Sequence, residues 1–153
     1  MKMLGRLILL VLLVSLWTLL LSSPVQAGVS CHNINARGVG QDLGGGVTQA
    51  RIIGGGLLHG TTAASFTITG FAGDVASFAG TVIFTTKHAT LTVTIEGTLN
   101  VVTGAFNAFG PVTAATGKLA GATGSLTFDG VEDLTDGSFE ERVTGEICVD
   151  LAP

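Results

Sequence analysis

Beyond residue 27 the chain alternates apolar and polar side chains almost one for one. Phe66 and Ile68 stand against Thr67 and Thr69; Val82 and Phe84 against Thr81 and Thr85; Leu91, Val93 and Ile95 against Thr90, Thr92 and Thr94. A period of two with β-branched partners predicts strands buried on one face. No segment after Ala27 carries a sustained helical stripe, and glycine recurs every few residues, where each would cost a helix interior about 1 kcal/mol. Helix is therefore expected to be nearly absent. The pattern predicts about eight strands, at 32–40, 47–57, 61–70, 77–86, 89–99, 104–112, 124–129 and 138–149. Glycine, aspartate and asparagine mark the turns between them, at 42–46, 58–60, 71–74, 87–88, 100–103, 116–121 and 130–137. Connections this short favour antiparallel neighbours.

Strands so numerous and short must protect their edges, and closing the sheet into a barrel removes the edges altogether. Of the two cysteines, Cys31 immediately precedes the first predicted strand and Cys148 lies on the last. A disulfide needs its Cα atoms within about 7 Å, so this pair would bring those strands side by side, as ring closure requires. The fold class expected is all-β, a closed antiparallel β-barrel of about eight strands, with a two-sheet β-sandwich as the alternative that the same bond would satisfy.

The first 27 residues differ in kind. Lys2 and Arg6 precede an apolar run from Leu7 to Leu21, followed by Ser22-Ser23-Pro24-Val25-Gln26-Ala27. These three zones predict a signal peptide over 1–27, removed after Ala27, and a single barrel domain over 28–153. The run is shorter than the roughly 20 residues needed to cross a bilayer, so no stable membrane span is expected after cleavage. Export implies a secreted or periplasmic protein in an oxidising compartment, where an even cysteine count predicts the Cys31–Cys148 disulfide.

Charge narrows the partners. The formal net charge is −4, and Arg37, Arg51, Lys87, Lys118 and Arg142 are scattered singly. No basic stripe is present to neutralise phosphates, which argues against nucleic acid. His32, His59 and His88 match no zinc spacing, and no metal or cofactor is implied by them. Gly117-Lys118 is followed by Leu119 rather than Ser or Thr, and Gly38-Val39-Gly40 lacks a third glycine and a following helix. Both are read as bends in strands rather than phosphate loops. No Gly-x-Ser-x-Gly elbow marks a nucleophile. Asp129, Glu132, Asp133 and Asp136, with Glu140 and Glu141 beyond, form the densest charge in the chain. They read either as a solvated hairpin tip or as oxygen ligands for Ca²⁺, in an order that fits no EF-hand.

Several short motifs resemble the barrel family that includes allene oxide cyclases and plant dirigent proteins. They are Gly55-Gly56-Leu57-Leu58-His59-Gly60-Thr61-Thr62, Phe78-Ala79-Gly80-Thr81, the segment 117–124, and Thr144-Gly145-Glu146-Ile147-Cys148. The resemblance implies an eight-stranded barrel with a lumen for an apolar small molecule, and a homo-oligomer. It transfers no catalytic set, because dirigent proteins steer phenoxy radicals with acidic, basic and tyrosine side chains and this chain has no Tyr.

Three functions stay open: a barrel binding an apolar small molecule in its lumen, a solid structural or envelope barrel, and an enzyme resembling allene oxide cyclase or a dirigent protein. The lumen candidates are Phe66, Phe84, Leu91, Val93, Phe106 and Phe128. Arg51, His59 and Glu96 are the polar side chains that would serve a ligand or a reaction. Arg51 shares a phase with Val47, Gln49 and Ile53, and enters the lumen if that phase is the inner one. Glu96 sits in the phase opposite Leu91, Val93 and Ile95.

Overall fold

A computed structural model describes residues 28–150. The signal peptide expected over 1–27 lies outside the described residues. Eight strands follow in order: β1 (Val29–Asp42), β2 (Val47–Gly54), β3 (Gly60–Ala72), β4 (Val75–Thr86), β5 (Thr90–Asn100), β6 (Ala105–Ala115), β7 (Thr123–Glu132) and β8 (Ser138–Asp150). Each pairs antiparallel with the next, and β8 returns to β1, so the sheet closes as a barrel rather than a sandwich. Cys31 and Cys148 are direct register partners on the closing seam and are disulfide-bonded. Among the described residues no helix is long and apolar enough to cross a membrane; apart from strands there are only two 3₁₀ turns, at Gly56–Leu58 and Gly117–Leu119.

The expected strands and turns recur with small shifts, and two shifts matter. β2 stops at Gly54 instead of reaching Leu57, because Gly54, Gly55 and Gly56 all take positive φ (78°, 70° and 54°) and turn the chain into the first 3₁₀ turn. β7 continues to Glu132 instead of ending at Asp129, which moves Glu132 from the hairpin tip into the barrel wall.

The connections sort onto two ends. Loops 43–46, 73–74, 101–104 and 133–137 crown one, the hairpin end. The other, the plugged end, carries both 3₁₀ turns, the tight turn at 87–89 and the disulfide. There Leu58 and Leu119, one from each 3₁₀ turn, are buried at 0% and 3% exposure and stopper the lumen. Above them Ile52, Phe84, Leu91, Val93, Leu126, Val143 and Ile147 are all wholly buried. Eight strands enclose a space that side chains can just fill or that can hold one small ligand, and this half is filled.

On the outer wall, hydroxyls pair between neighbours: Thr94 on β5 with Thr113 on β6 at 3.0 Å, and Thr90 with Thr116, just past the end of β6, at 2.7 Å. Arg37 donates to Glu140 at 2.6 Å, both side chains in water.

Candidate functional site

At the hairpin end the lumen is not filled. A cavity of about 80 Å³ is lined by Phe66, Phe78, Phe106, Phe128 and Phe139, by Val82, Ile95 and Leu99, and by Thr48, Thr62, Glu132 and Glu141. Since one water needs about 10–15 Å³ on this measure, the space takes a molecule the size of several waters. Three ring pairs line its walls and base. Phe66 meets Phe78 with centroids 5.2 Å apart, Phe106 meets Phe139 edge-on at 6.0 Å, and Phe128 lies 6.1 Å from Phe84, which is itself part of the filled half.

Glycines explain why so many rings leave a gap. Phe78 is the register partner of Gly97, Phe106 of Gly130 and Phe139 of Gly40. In each pair the tip of the ring occupies the place where a Cβ on the glycine would stand. The rings therefore lie across the wall instead of projecting to the barrel axis. Gly38 and Gly40 have ordinary extended backbone, so they make room for side chains rather than bend the strand as the sequence suggests.

Glu141 is the chemical feature of the cavity. Its neighbours in register are Gly38 on β1 and Gly130 on β7, so neither adjacent strand covers it with a side chain. A Cβ on Gly38 would come within 2.5 Å of the Glu141 Oε1 atom. No cation faces it among the described residues. Arg37 and Arg142 lie in the opposite phase, the first bound to Glu140 and the second to Asn35. Burial without a partner disfavours the charged form and pushes the Glu141 carboxyl from 4.5 to about 7. Nearer the rim, the Glu132 carboxyl is also raised, first by burial and then by the charge and hydrogen bond of Asp42.

Of the side chains proposed from sequence, Phe66, Phe106 and Phe128 line the cavity, while Phe84, Leu91 and Val93 are packed into the filled half. Arg51 does not enter the lumen. The inner phase of β2 is Thr48, Ala50 and Ile52, and Arg51 points outward with Ile53 because Ile52 fills the core. His59 is exposed beside the first 3₁₀ turn, and Glu96 is exposed on the outer wall. The structure brings none of these three together.

The acidic cluster also divides. Asp129 accepts a hydrogen bond from Asn107 on the outer wall; Asp133 and Asp136 accept backbone N–H groups from Thr135 and Ser138 at the tip; Glu140 pairs with Arg37. Among the described residues these carboxylates do not converge as a metal-ligand group. Glu132 and Glu141 point inward. Sequence carried a signal for both: Glu141 shares its phase with Phe139 and Val143, and Glu132 with Phe128, but the density of charge around them masks the phase.

No protein-family model, no curated protein and no solved structure matches this chain.

Proposed function

We propose that the chain is an exported barrel that binds an apolar small molecule in the cavity at its hairpin end. One observation carries the reading: five phenylalanines enclose an unfilled space in a barrel whose other half is packed solid. Small sites of this kind are mostly apolar with a few placed polar groups. Exposed apolar side chains at that end, Phe71 near the close of β3 and Leu43, Val102 and Leu134 on the connections, offer an apolar approach to it. The Cys31–Cys148 bond suits an oxidising compartment, and the 1–27 segment is the export signal this reading requires. A barrel holding a ligand in its lumen is also what the resemblance to allene oxide cyclases and dirigent proteins implies.

The test is titration of the purified protein with 2-phenylethanol, followed through the methyl and ring signals of the lumen by NMR. Saturable shifts at Phe66, Phe106 and Phe128, blocked by Ala108→Phe, are expected. Absence of any shift up to the solubility of the alcohol would overturn the reading. A second reading, an enzyme that confines a reactive intermediate, is favoured by one feature: a carboxyl poised near neutrality is suited to proton transfer. It requires that Glu141→Gln abolish turnover of a substrate that still binds.

A further inference from the structure

The polar groups at the hairpin end share a sign. Glu141 on β8 and Glu132 on β7 line the cavity, with Asp42 on β1 hydrogen-bonded to Glu132 at its rim; on the surrounding loops stand Asp74, Asp133 and Asp136. The five basic side chains of the described barrel lie elsewhere. Arg37, Arg51 and Arg142 are on the outer phases of their strands, while Lys87 and Lys118 are in connections of the plugged end. Low-dielectric walls lined by one sign of charge concentrate the opposite charge at such an opening.

We infer that the cavity takes a small primary amine carrying one aromatic ring or a short alkyl chain, its ammonium group held by Glu141 and its apolar body against the phenylalanines. This rests on the binding reading above and names its ligand class. An ammonium brings three donors to a carboxylate that has no donor of its own, and charge-assisted bonds of this kind are about twice as strong as neutral ones. The faces of the surrounding rings attract a cation further. A carboxylate or phosphate ligand would share the cavity with Glu141 and Glu132, and like charges so placed exclude it.

The pH dependence has a definite sign. Gly38 on β1 and Gly130 on β7 flank Glu141 in register, Glu132 on β7 shares its cavity and Asp42 on β1 meets Glu132 at the rim, so the titratable groups on the neighbouring strands are carboxyls and no cationic side chain faces it. An ammonium ion stabilises the ionised carboxyl, so binding expels a proton where Glu141 is still protonated. Affinity for the amine therefore rises with pH up to and slightly beyond neutrality, then levels off while the amine stays charged.

The experiment is calorimetric titration with 2-phenylethylamine, 2-phenylethanol and phenylacetate, at pH 5 and pH 8, on the native chain and on Glu141→Gln. At pH 8 the amine is expected to bind roughly ten-fold or more tighter than the alcohol, an advantage of about 1.4 kcal/mol, with phenylacetate weakest. The advantage shrinks at pH 5 and is lost in Glu141→Gln. Titration near neutrality in buffers of different ionisation enthalpy should report proton release on amine binding. Equal binding of amine and alcohol to the native chain would overturn the amine inference and leave the binding reading standing; so would an amine preference that survives Glu141→Gln. Binding of none of the three would overturn both. Should Glu141→Gln fail to fold, the native chain's amine-to-alcohol ratio and proton release decide the matter alone.

Discussion

The two halves of this barrel are made from the same eight strands, yet one is solid and the other hollow. The solid half is filled by aliphatic side chains and Phe84, and stoppered by Leu58 and Leu119. Branched side chains project toward the axis there and are wholly buried, as close packing of an interior requires. The hollow half carries more aromatic volume, but three of its five rings, Phe78, Phe106 and Phe139, lie over glycines on the next strand. Where a residue's neighbour lacks a Cβ, the ring lies down and the axis is left open. Glycine in the wall decides whether a large side chain fills a small barrel or merely panels it.

Substitutions can break this contrast, and the largest effect falls on the solid end. Replacing Cys31 and Cys148 by serine opens a closure of 117 residues; in the chain-entropy picture this costs about 4–5 kcal/mol, measured by urea unfolding. Leu126→Ala, also in the solid half, is expected to cost about 2–5 kcal/mol, because the surrounding wall cannot collapse into the hole. Phe106→Ala should cost less by the same measurement, since its ring already borders empty space. Equal losses would mean that the two halves are equally packed.

Glu141→Gln sharpens the contrast through pH. The folded-state pKa of this carboxyl is raised, so the protonated form is favoured by folding. Stability from this group is full at low pH and is lost as pH rises from about 4.5 through about 7. The glutamine variant escapes that loss, and its advantage over the native chain should grow between pH 4 and pH 8 by an amount on the order of 2–3 kcal/mol. A flat difference across that range would mean that the carboxyl is solvated.

Gly38→Ala is a gentler probe. The three atoms nearest an added Cβ all belong to the flexible Glu141 side chain, at 2.5–3.0 Å, so the cost should be about 1 kcal/mol of local crowding. Its signature is a displaced carboxyl and weaker ligand binding, read by calorimetry, with the fold retained. Least of all, Arg37→Ala removes the exposed pair with Glu140 and should leave the unfolding midpoint where it is.

The strands, most of the turns and the closing disulfide were legible in the chain because each is a local or nearly local signal. Alternation marks a half-buried strand, glycine marks a turn, and two cysteines near the ends of a strand series mark its seam. The site was harder to see. In β2 both phases mix apolar and polar residues, Val47 and Ile53 against Ala50 and Ile52, and pattern alone does not choose between them. The choice comes from register: Ile52 fills the core and Arg51 turns to water opposite Val39.

What the amino-acid order determined by itself was the strands and the turns between them, since a period of two and a turn residue act over a few positions. What only the tertiary structure decided was closure into a barrel rather than a sandwich, through the pairing of β8 with β1, and the cavity. Glu141 becomes an unpaired carboxyl in an aromatic pocket because Gly38 and Gly130, about 103 and 11 residues away in the chain, arrive on either side of it. That juxtaposition exists only once three strands are in register, for a side chain's solvation is set by its neighbours in space.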